Sequence, residues 1–285
     1  MDCKNCQNTL KENACFCDDC GAKVVLKRIN FKNLLLEFFI VNFGIDSRFF
    51  VTIRKMITQP ENVVHEYLQG VRRRYINPFA FLAVGAGLSL IIFNYFADDF
   101  IAIQNSMQSE QITDLKEKAS LDINQLKNLT EKQKQQKQLE KKLAQMQLDF
   151  TSGMWEFMLR YFNLLTFVFL LIYAVLSKWT FWKPHNFGEH IVINGYLYGF
   201  TTYLTLVFFF LAILIHPSIY MISILVSMLY YMYAFGKIYK LSIGRNILKL
   251  VRFIIGLIVV FIIFMILSLV IGAFIGFMGW IDIAK

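Results

Sequence analysis

The chain has 285 residues, of which 56% are apolar and only 17% charged, and it carries a formal net charge of +9. Soluble domains are about one-quarter charged, and a chain of this length has too little covering surface to bury five span-length apolar helices inside one soluble core. The positive charge excludes little by itself, but outside the apolar segments no basic stretch is interleaved with base-stacking aromatics, so no nucleic-acid partner is expected.

Residues 1–26 are polar and cysteine-bearing, with no apolar stretch of signal-peptide type. Insertion is therefore expected to be led by the first span itself. Cys3-Lys4-Asn5-Cys6 and Cys17-Asp18-Asp19-Cys20 are two CxxC pairs separated by ten residues, with Gly21 directly after the second. Each pair can wrap a tight knuckle, and the four thiolates of Cys3, Cys6, Cys17 and Cys20 make a closed tetrahedral shell for one structural zinc ion. Two disulfides are the alternative, disfavoured on a reducing cytoplasmic side. So short a module lacks the core to fold alone, and metal binding would supply the folding energy, with Phe16 and Val24 or Val25 as a minimal apolar cap. Cys15 reads as a free thiol. A closed four-cysteine site is structural and points to a cytoplasmic protein partner, not to catalysis.

Residues 27–77 read as cytoplasmic amphipathic helices. Phe31, Leu34, Leu35, Phe38 and Phe39 recur at helical spacing. After Asn42-Phe43-Gly44, Asp46 or Ser47 caps a second helix through Ile57, and Pro60-Glu61 starts a third that ends at Gly70. Such faces either lie in the bilayer interface or sit beneath the bundle. Arg72, Arg73, Arg74 and Tyr75 then precede the first span. They suit a basic anchor on the inner side, and equally an anion site for a lipid headgroup or phosphorylated substrate, since guanidinium forks match phosphate oxygens.

Crossing ~30 Å of hydrocarbon takes about 20 apolar residues. Pro78–Phe96, Met154–Leu176, Ile191–Ile215, Ser218–Phe235 and Leu250–Trp280 meet that length. Ala83, Gly85, Ala86, Gly87 and Ser89 in the first, and Gly272 with Gly276 in the fifth, are expected at close helix contacts. Glu156, Arg160, Asn163 and Asn194 are the costly polar residues of the spans, and Glu156 and Arg160, four apart, are expected to pair.

Residues 97–153 differ in character, being rich in Lys and Gln without Pro. Ile112, Leu115, Ala119, Ile123, Leu126 and Leu129 recur every three or four residues. Thr130 with Gln133 can form a capping box that opens a second helix with the stripe Leu139, Leu143, Met146 and Phe150. The expectation is an extracytoplasmic helical hairpin, coiled-coil in character, either paired with itself or across protomers of a homo-oligomer. One solvated helix, or partial disorder in the Lys/Gln-rich middle, is the simpler alternative.

The 177–190 connection holds His185, Glu189 and His190. They could serve as a catalytic metal or acid–base group, or as a hydrogen-bonded cap of the third span. His185 and Glu189 share a helix face only if the helix already begins there. The 236–249 connection is basic and lacks acidic residues. With Arg72 to Arg74 and with Lys178 and Lys183, it places all basic connections on one side of a five-span chain. The N-terminus is then cytoplasmic and the C-terminus outside, with Trp155, Trp179, Trp182 and Trp280 at span ends. The fold class expected is an all-α membrane protein, a five-helix bundle with a zinc ribbon and a helical hairpin.

Phe49 to Arg54, Pro60, Tyr67, Gly70, Arg72 to Phe79 and the Asn186-Phe187-Gly188-Glu189-His190 motif, behind the cysteine pairs, resemble a bacterial membrane family catalogued as a domain of unknown function and led by a zinc ribbon. The resemblance implies a multi-pass protein of the bacterial cytoplasmic (inner) membrane and brings no activity. It does not extend to residues 97–153. Two functions remain open: a non-enzymatic scaffold or lipid- or transport-related protein in contact with membrane lipids, and a membrane enzyme using Glu189 and His190 on a lipid or phosphorylated substrate held by Arg72 to Arg74.

Overall fold

The computed structural model describes residues 2–3, 5–12, 14–21, 24, 47–106, 109–121 and 130–277. It divides into two units, residues 1–43 and 44–285. The first, where it is described, is the cysteine module. The predicted helix around Phe31 to Phe39 lies outside the described residues.

Among its described residues, the regular structure of the second unit is all helix. In chain order the helices are α1 (Ser47–Thr58), α2 (Pro60–Leu68), α3 (Pro78–Tyr95), α4 (Ala97–Ser106), α5 (Ser109–Ser120), α6 (Glu131–Arg160), α7 (Phe162–Thr180), α8 (Phe187–Leu214), α9 (Ile219–Ile238) and α10 (Ile243–Phe277). Local chemistry sets several starts. Pro60 and Pro78 occupy first turns, where a missing N–H costs nothing. Asn77 Oδ1 accepts from Phe79 N at 2.9 Å, and Gln133 Oε1 accepts from Thr130 N at 3.0 Å, the return bond of the expected capping box.

Among the described residues, α3, α7, α8, α9 and the Ile243–Ser268 part of α10 are long and apolar enough to cross a membrane. The chain is therefore read as a multi-pass membrane protein. Three spans start elsewhere than the apolar runs suggest, α8 opening at Phe187 instead of Ile191. Met154 to Arg160 complete α6, and Arg245, Lys249 and Arg252 stand on the first turns of α10 rather than in a loop.

α8 is the central helix, packed against α3, α7 and α9. Gly195 and Gly199, four apart on one face, form its seam with α3. A Cβ at Gly199 would lie 2.8 Å from Phe81 Cδ1 and 3.3 Å from the Leu82 backbone. Two phenols cross the same seam, Tyr196 OH to Ile76 O at 2.7 Å and Tyr203 OH to Phe81 O at 2.6 Å. Helices without Cβ bulk approach closely enough for such contacts. Of the small residues singled out in the first span, Gly85 meets the Tyr203 ring, whereas a Cβ on Gly87 would meet nothing within 4 Å.

The core has two parts, one at each end of the bundle. At one end Phe93, Phe100, Leu159, Phe209 and Ala212 cluster, with Trp155 edge-on to Phe100. At the other, α1 and α2 tuck Phe49, Met56, Val63, Val64 and Tyr67 against Phe81, Ile193, Tyr196 and Tyr230. Of the amphipathic segments, α1 and α2 thus pack against this end of the bundle. α9 secures them through side chains that reach the last carbonyls of α1. Tyr230 OH donates to Met56 O at 2.9 Å, Tyr233 OH to Thr58 O at 2.9 Å and Lys237 Nζ to Thr58 O at 3.1 Å. These carbonyls have no partner within their own helix. Phe50 and Ile57, on the opposite face of α1, are exposed.

Candidate functional site

The cysteine module shows how two short knuckles can face one ion. Gln7 N donates to Cys3 O at 2.8 Å, and Gly21 N to Cys17 O at 3.0 Å. The residue after each second cysteine is left-handed, Gln7 at φ 62° and Gly21 at φ 69°. Glycine adopts that region freely and other residues at a cost. Cys3 Sγ lies 3.7 Å from Cys20 Sγ and Cys6 Sγ 3.6 Å from Cys17 Sγ, none of them in a disulfide. Ligand atoms of Cys3, Cys6, Cys17 and Cys20 all fall within 4.8 Å of one another. Four thiolates about 2.3 Å from one ion stand roughly 3.8 Å apart, so the donor set and spacing fit a tetrahedral metal. Cys15 is exposed and outside this cluster.

The second candidate is the end of the bundle that carries α1 and α2. Here α8 begins at Phe187, so His185 precedes the helix instead of sharing its first face with Glu189. Asn186 is the N-cap. Its Oδ1 accepts from Glu189 N at 2.9 Å, and Glu189 Oε2 accepts from Asn186 N at 2.7 Å, a reciprocal capping box. His185 Nδ1 stands 3.5 Å from the same Glu189 oxygen.

His190 is completely buried, as are Ser177 and Asn194. Its Nδ1 lies 2.8 Å from Ser177 Oγ, and its Nε2 3.2 Å from Phe181 O and 3.3 Å from Tyr239 OH. A proton on Nε2 serves the carbonyl while Nδ1 accepts from the serine hydroxyl. Asn194 Nδ2 closes the network, donating to Ser177 Oγ at 2.7 Å and His190 O at 2.8 Å. The C-terminus of α7 is thereby satisfied from outside. His190 takes Phe181 O, and Lys249 Nζ donates to Thr180 O at 2.7 Å. Lys178 Nζ reaches Trp182 O and His185 O. Donors and cations at a helix C-terminus complement its exposed carbonyls. Phe181 stacks against both Phe235 and Tyr239, with centroids 4.7 and 4.4 Å away. Burial first, then the Glu189 charge, pushes the Tyr239 phenol upward, so it stays an O–H.

The arginine cluster attaches to the same end through α2. Glu66 Oε2 accepts from Arg74 Nη1 at 3.0 Å and from Tyr75 OH at 2.9 Å. Tyr75 is buried, and burial followed by that hydrogen bond pushes its pKa up to about 12. Its phenol is committed inward. Arg72 lies over the Tyr67 ring and Arg74 over the Tyr75 ring, each at 5.9 Å. One residue from Glu66, His65 faces His185 with ring centroids 6.3 Å apart. Glu61 pairs with Lys237 at 3.6 Å. α2 thus links the arginine and histidine groups, a role that Glu61, His65 and Glu66 did not announce in sequence. Nor did Ser177 and Tyr239, which lie far from the motif along the chain.

A small cleft of about 30 Å³ opens between α7, α9 and α10, walled by Phe181, Tyr231, Phe235, Phe253 and the Lys249 stem. None of the candidate catalytic or anion-site residues lines it. It has room for only one or two waters.

Residues 46–90 match a family described as a protein of unknown function (DUF3667). The match spans α1, α2, the arginine cluster and most of α3; the cysteine module and the Asn186–His190 motif lie beyond it. No curated protein and no solved structure gives a match.

Proposed function

We propose that the chain is a non-enzymatic membrane scaffold whose cysteine module holds one structural zinc ion and contacts a partner in the cytoplasm. Its basic end faces the cytoplasm, with the N-terminus inside and the C-terminus outside. Arg72 to Arg74, Lys178, Lys183, Lys237, Lys240, Arg245 and Lys249 gather there, as cytoplasmic connections require. Cys3, Cys6, Cys17 and Cys20 would hold the ion, and its binding energy would fold a module too small for a core.

The observation that carries this reading is the commitment of the best acid–base candidates to structure. His190 joins the end of α7 to the start of α8 through both ring nitrogens, and Glu189 closes the cap of α8. A general acid or base must instead reach the proton it transfers in a substrate. Arg74 and Tyr75 are likewise engaged with Glu66. Arg72, Arg73 and Arg74 are exposed, which suits attraction to lipid headgroups.

Metal analysis of the purified full chain tests the zinc part. About one equivalent of zinc per chain is expected. Replacing Cys17 and Cys20 together by Ser should remove it while the bundle still inserts into membranes. Less than about half an equivalent, or a different metal, contradicts the reading.

A further inference from the structure

α6 has two opposite apolar faces, and among the described residues only one is covered. Ala144 and Leu159 are buried on the inner face, where Trp155 meets Phe100 and α5 brings Ile112. Lys141 Nζ ties the same side to Leu121 O at 2.9 Å. At about 100° per residue the outer stripe Leu139, Leu143, Met146, Phe150 and Phe157 lies roughly 180° away. All five are 53–72% exposed. The hairpin therefore does pair with itself, but not through the stripe that its sequence offers.

We infer that the outer stripe of α6 is the contact between two copies of this chain, joined as a parallel, in-register coiled coil. Its spacing alternates four and three residues, the a/d repeat of such a seam: Leu143, Phe150 and Phe157 at a, Leu139, Met146 and Gly153 at d. A Cβ on Gly153 would meet nothing within 4 Å. A mid-helix glycine weakens the helix relative to alanine, and here it opens a hollow between two phenylalanines that a partner's rings can fill.

Three features favour a second copy over a lipid surface. Leu139 stands 23 residues before Phe162, the first residue of a span, which is ~35 Å of helix. The positions bordering the stripe include Glu140, Asp149 and Glu156 against Lys142, whereas a helix lying on a bilayer carries Lys and Arg at its borders. Copies inserted in one membrane share one orientation, so a two-fold axis along the membrane normal sets the two stripes parallel and self-complementary. In that register the flanking g–e′ pairs are Gln135–Glu140, Lys142–Gln147 and Asp149–Met154. Between Leu139 and Phe157 no like charges face each other across the seam, which ends before the next d positions on either side, Lys132 and Arg160.

The test is oxidative cross-linking of the full chain in native membranes, with cysteine placed singly at Leu139, Leu143, Met146 or Phe150. The exposed inner-flank residue Gln145 and the unsubstituted chain are the controls. A band at twice the chain mass is expected at the stripe positions, several-fold stronger than at Gln145 or without substitution. Equal or absent bands at the stripe overturn the proposal. A fluorophore at Leu143 should be insensitive to quenchers carried on lipid chains; strong quenching would place the stripe in the bilayer and also overturn it. The double variant L143E/F150E should halve the mass of the particle in mild detergent while thermal unfolding of the bundle stays where it was.

Discussion

Replacing His190 by alanine separates a structural joint from a reaction centre. The imidazole is completely buried and touches Ser177 Oγ, Phe181 O and Tyr239 OH. Its loss leaves a cavity at the junction of α7, α8 and α9 and strips the terminal carbonyl of α7 of its donor. Truncating a large buried side chain costs about 2–5 kcal/mol, and an unsatisfied buried polar group about 1–3 kcal/mol. Because Asn194 still donates to Ser177, the lower part of the summed range applies, about 3–5 kcal/mol. That lowers the unfolding temperature by on the order of 10 °C, read by fluorescence-monitored melting in detergent. His190→Gln retains a donor and an acceptor and should recover about half of the loss. Glu189→Gln is the companion. Glutamine closes the same capping box, so the melt should move by less than ~0.5 kcal/mol. An alanine variant that melts with the wild type would refute the joint, because a side chain bridging two helix ends cannot be removed without cost.

Gly199→Ala should destabilise the bundle by about 1–3 kcal/mol, since the new Cβ meets the buried Phe81 ring at 2.8 Å with the Leu82 backbone behind it. Gly87→Ala, with open space around it, should be neutral or gain up to ~1 kcal/mol in the same melt. The docking of α2 should weaken in mild acid. Burial first, then the His185 and Lys240 charges, holds the His65 pKa below its usual 6.5, against the opposing pull of Glu61. His65 is therefore neutral when folded, and the stability it contributes above pH ~6.5 is lost as pH falls through its lowered value. Protease sensitivity of residues 47–70 across pH 7 to 5 checks this, and His65→Gln should flatten the profile. In the cysteine module, Gly21→Val forces a β-branched residue to φ 69°. A penalty of about 1–2 kcal/mol corresponds to roughly tenfold weaker zinc in a chelator competition, whereas Gln7→Gly, relieving φ 62°, should tighten it.

What sequence reveals here follows the range of the interaction. Span-length apolar runs, the CxxC spacing and the Thr130–Gln133 box depend on neighbours in the chain, and the structure has five such helices and the sulfur cluster, although the span boundaries shift by several residues. The Asn186–Glu189 box has the same local signature, Asn followed three residues later by Glu, and was legible in principle. The seam at Gly195 and Gly199 was not. Which glycines matter depends on which helix lies opposite, and Gly87 in the first span meets nothing. The site's partners were hidden for the same reason. Ser177, Tyr239 and Glu66 acquire their roles only when α7, α9 and α2 converge on the start of α8, and no spacing along the chain records that convergence. The carbonyl ladder from Tyr230, Tyr233 and Lys237 to the end of α1 spans some 175 residues of sequence. The two faces of α6 illustrate the reverse case. The apolar repeat of one face was plain, while the inner face that packs on α5 is marked mainly by Ala144 and Ile112.

The central claim is that the basic end of the bundle holds the fold together and does not turn over substrate. It is tested most directly by reconstituting the full chain in vesicles of its native lipid extract. Soluble phosphorylated metabolites are supplied on the basic face, and products are counted per chain by mass spectrometry. The scaffold account predicts no product beyond one equivalent per chain, with the wild type and Glu189→Gln indistinguishable. Sustained turnover by the wild type, abolished by Glu189→Gln at unchanged thermal stability, would contradict it.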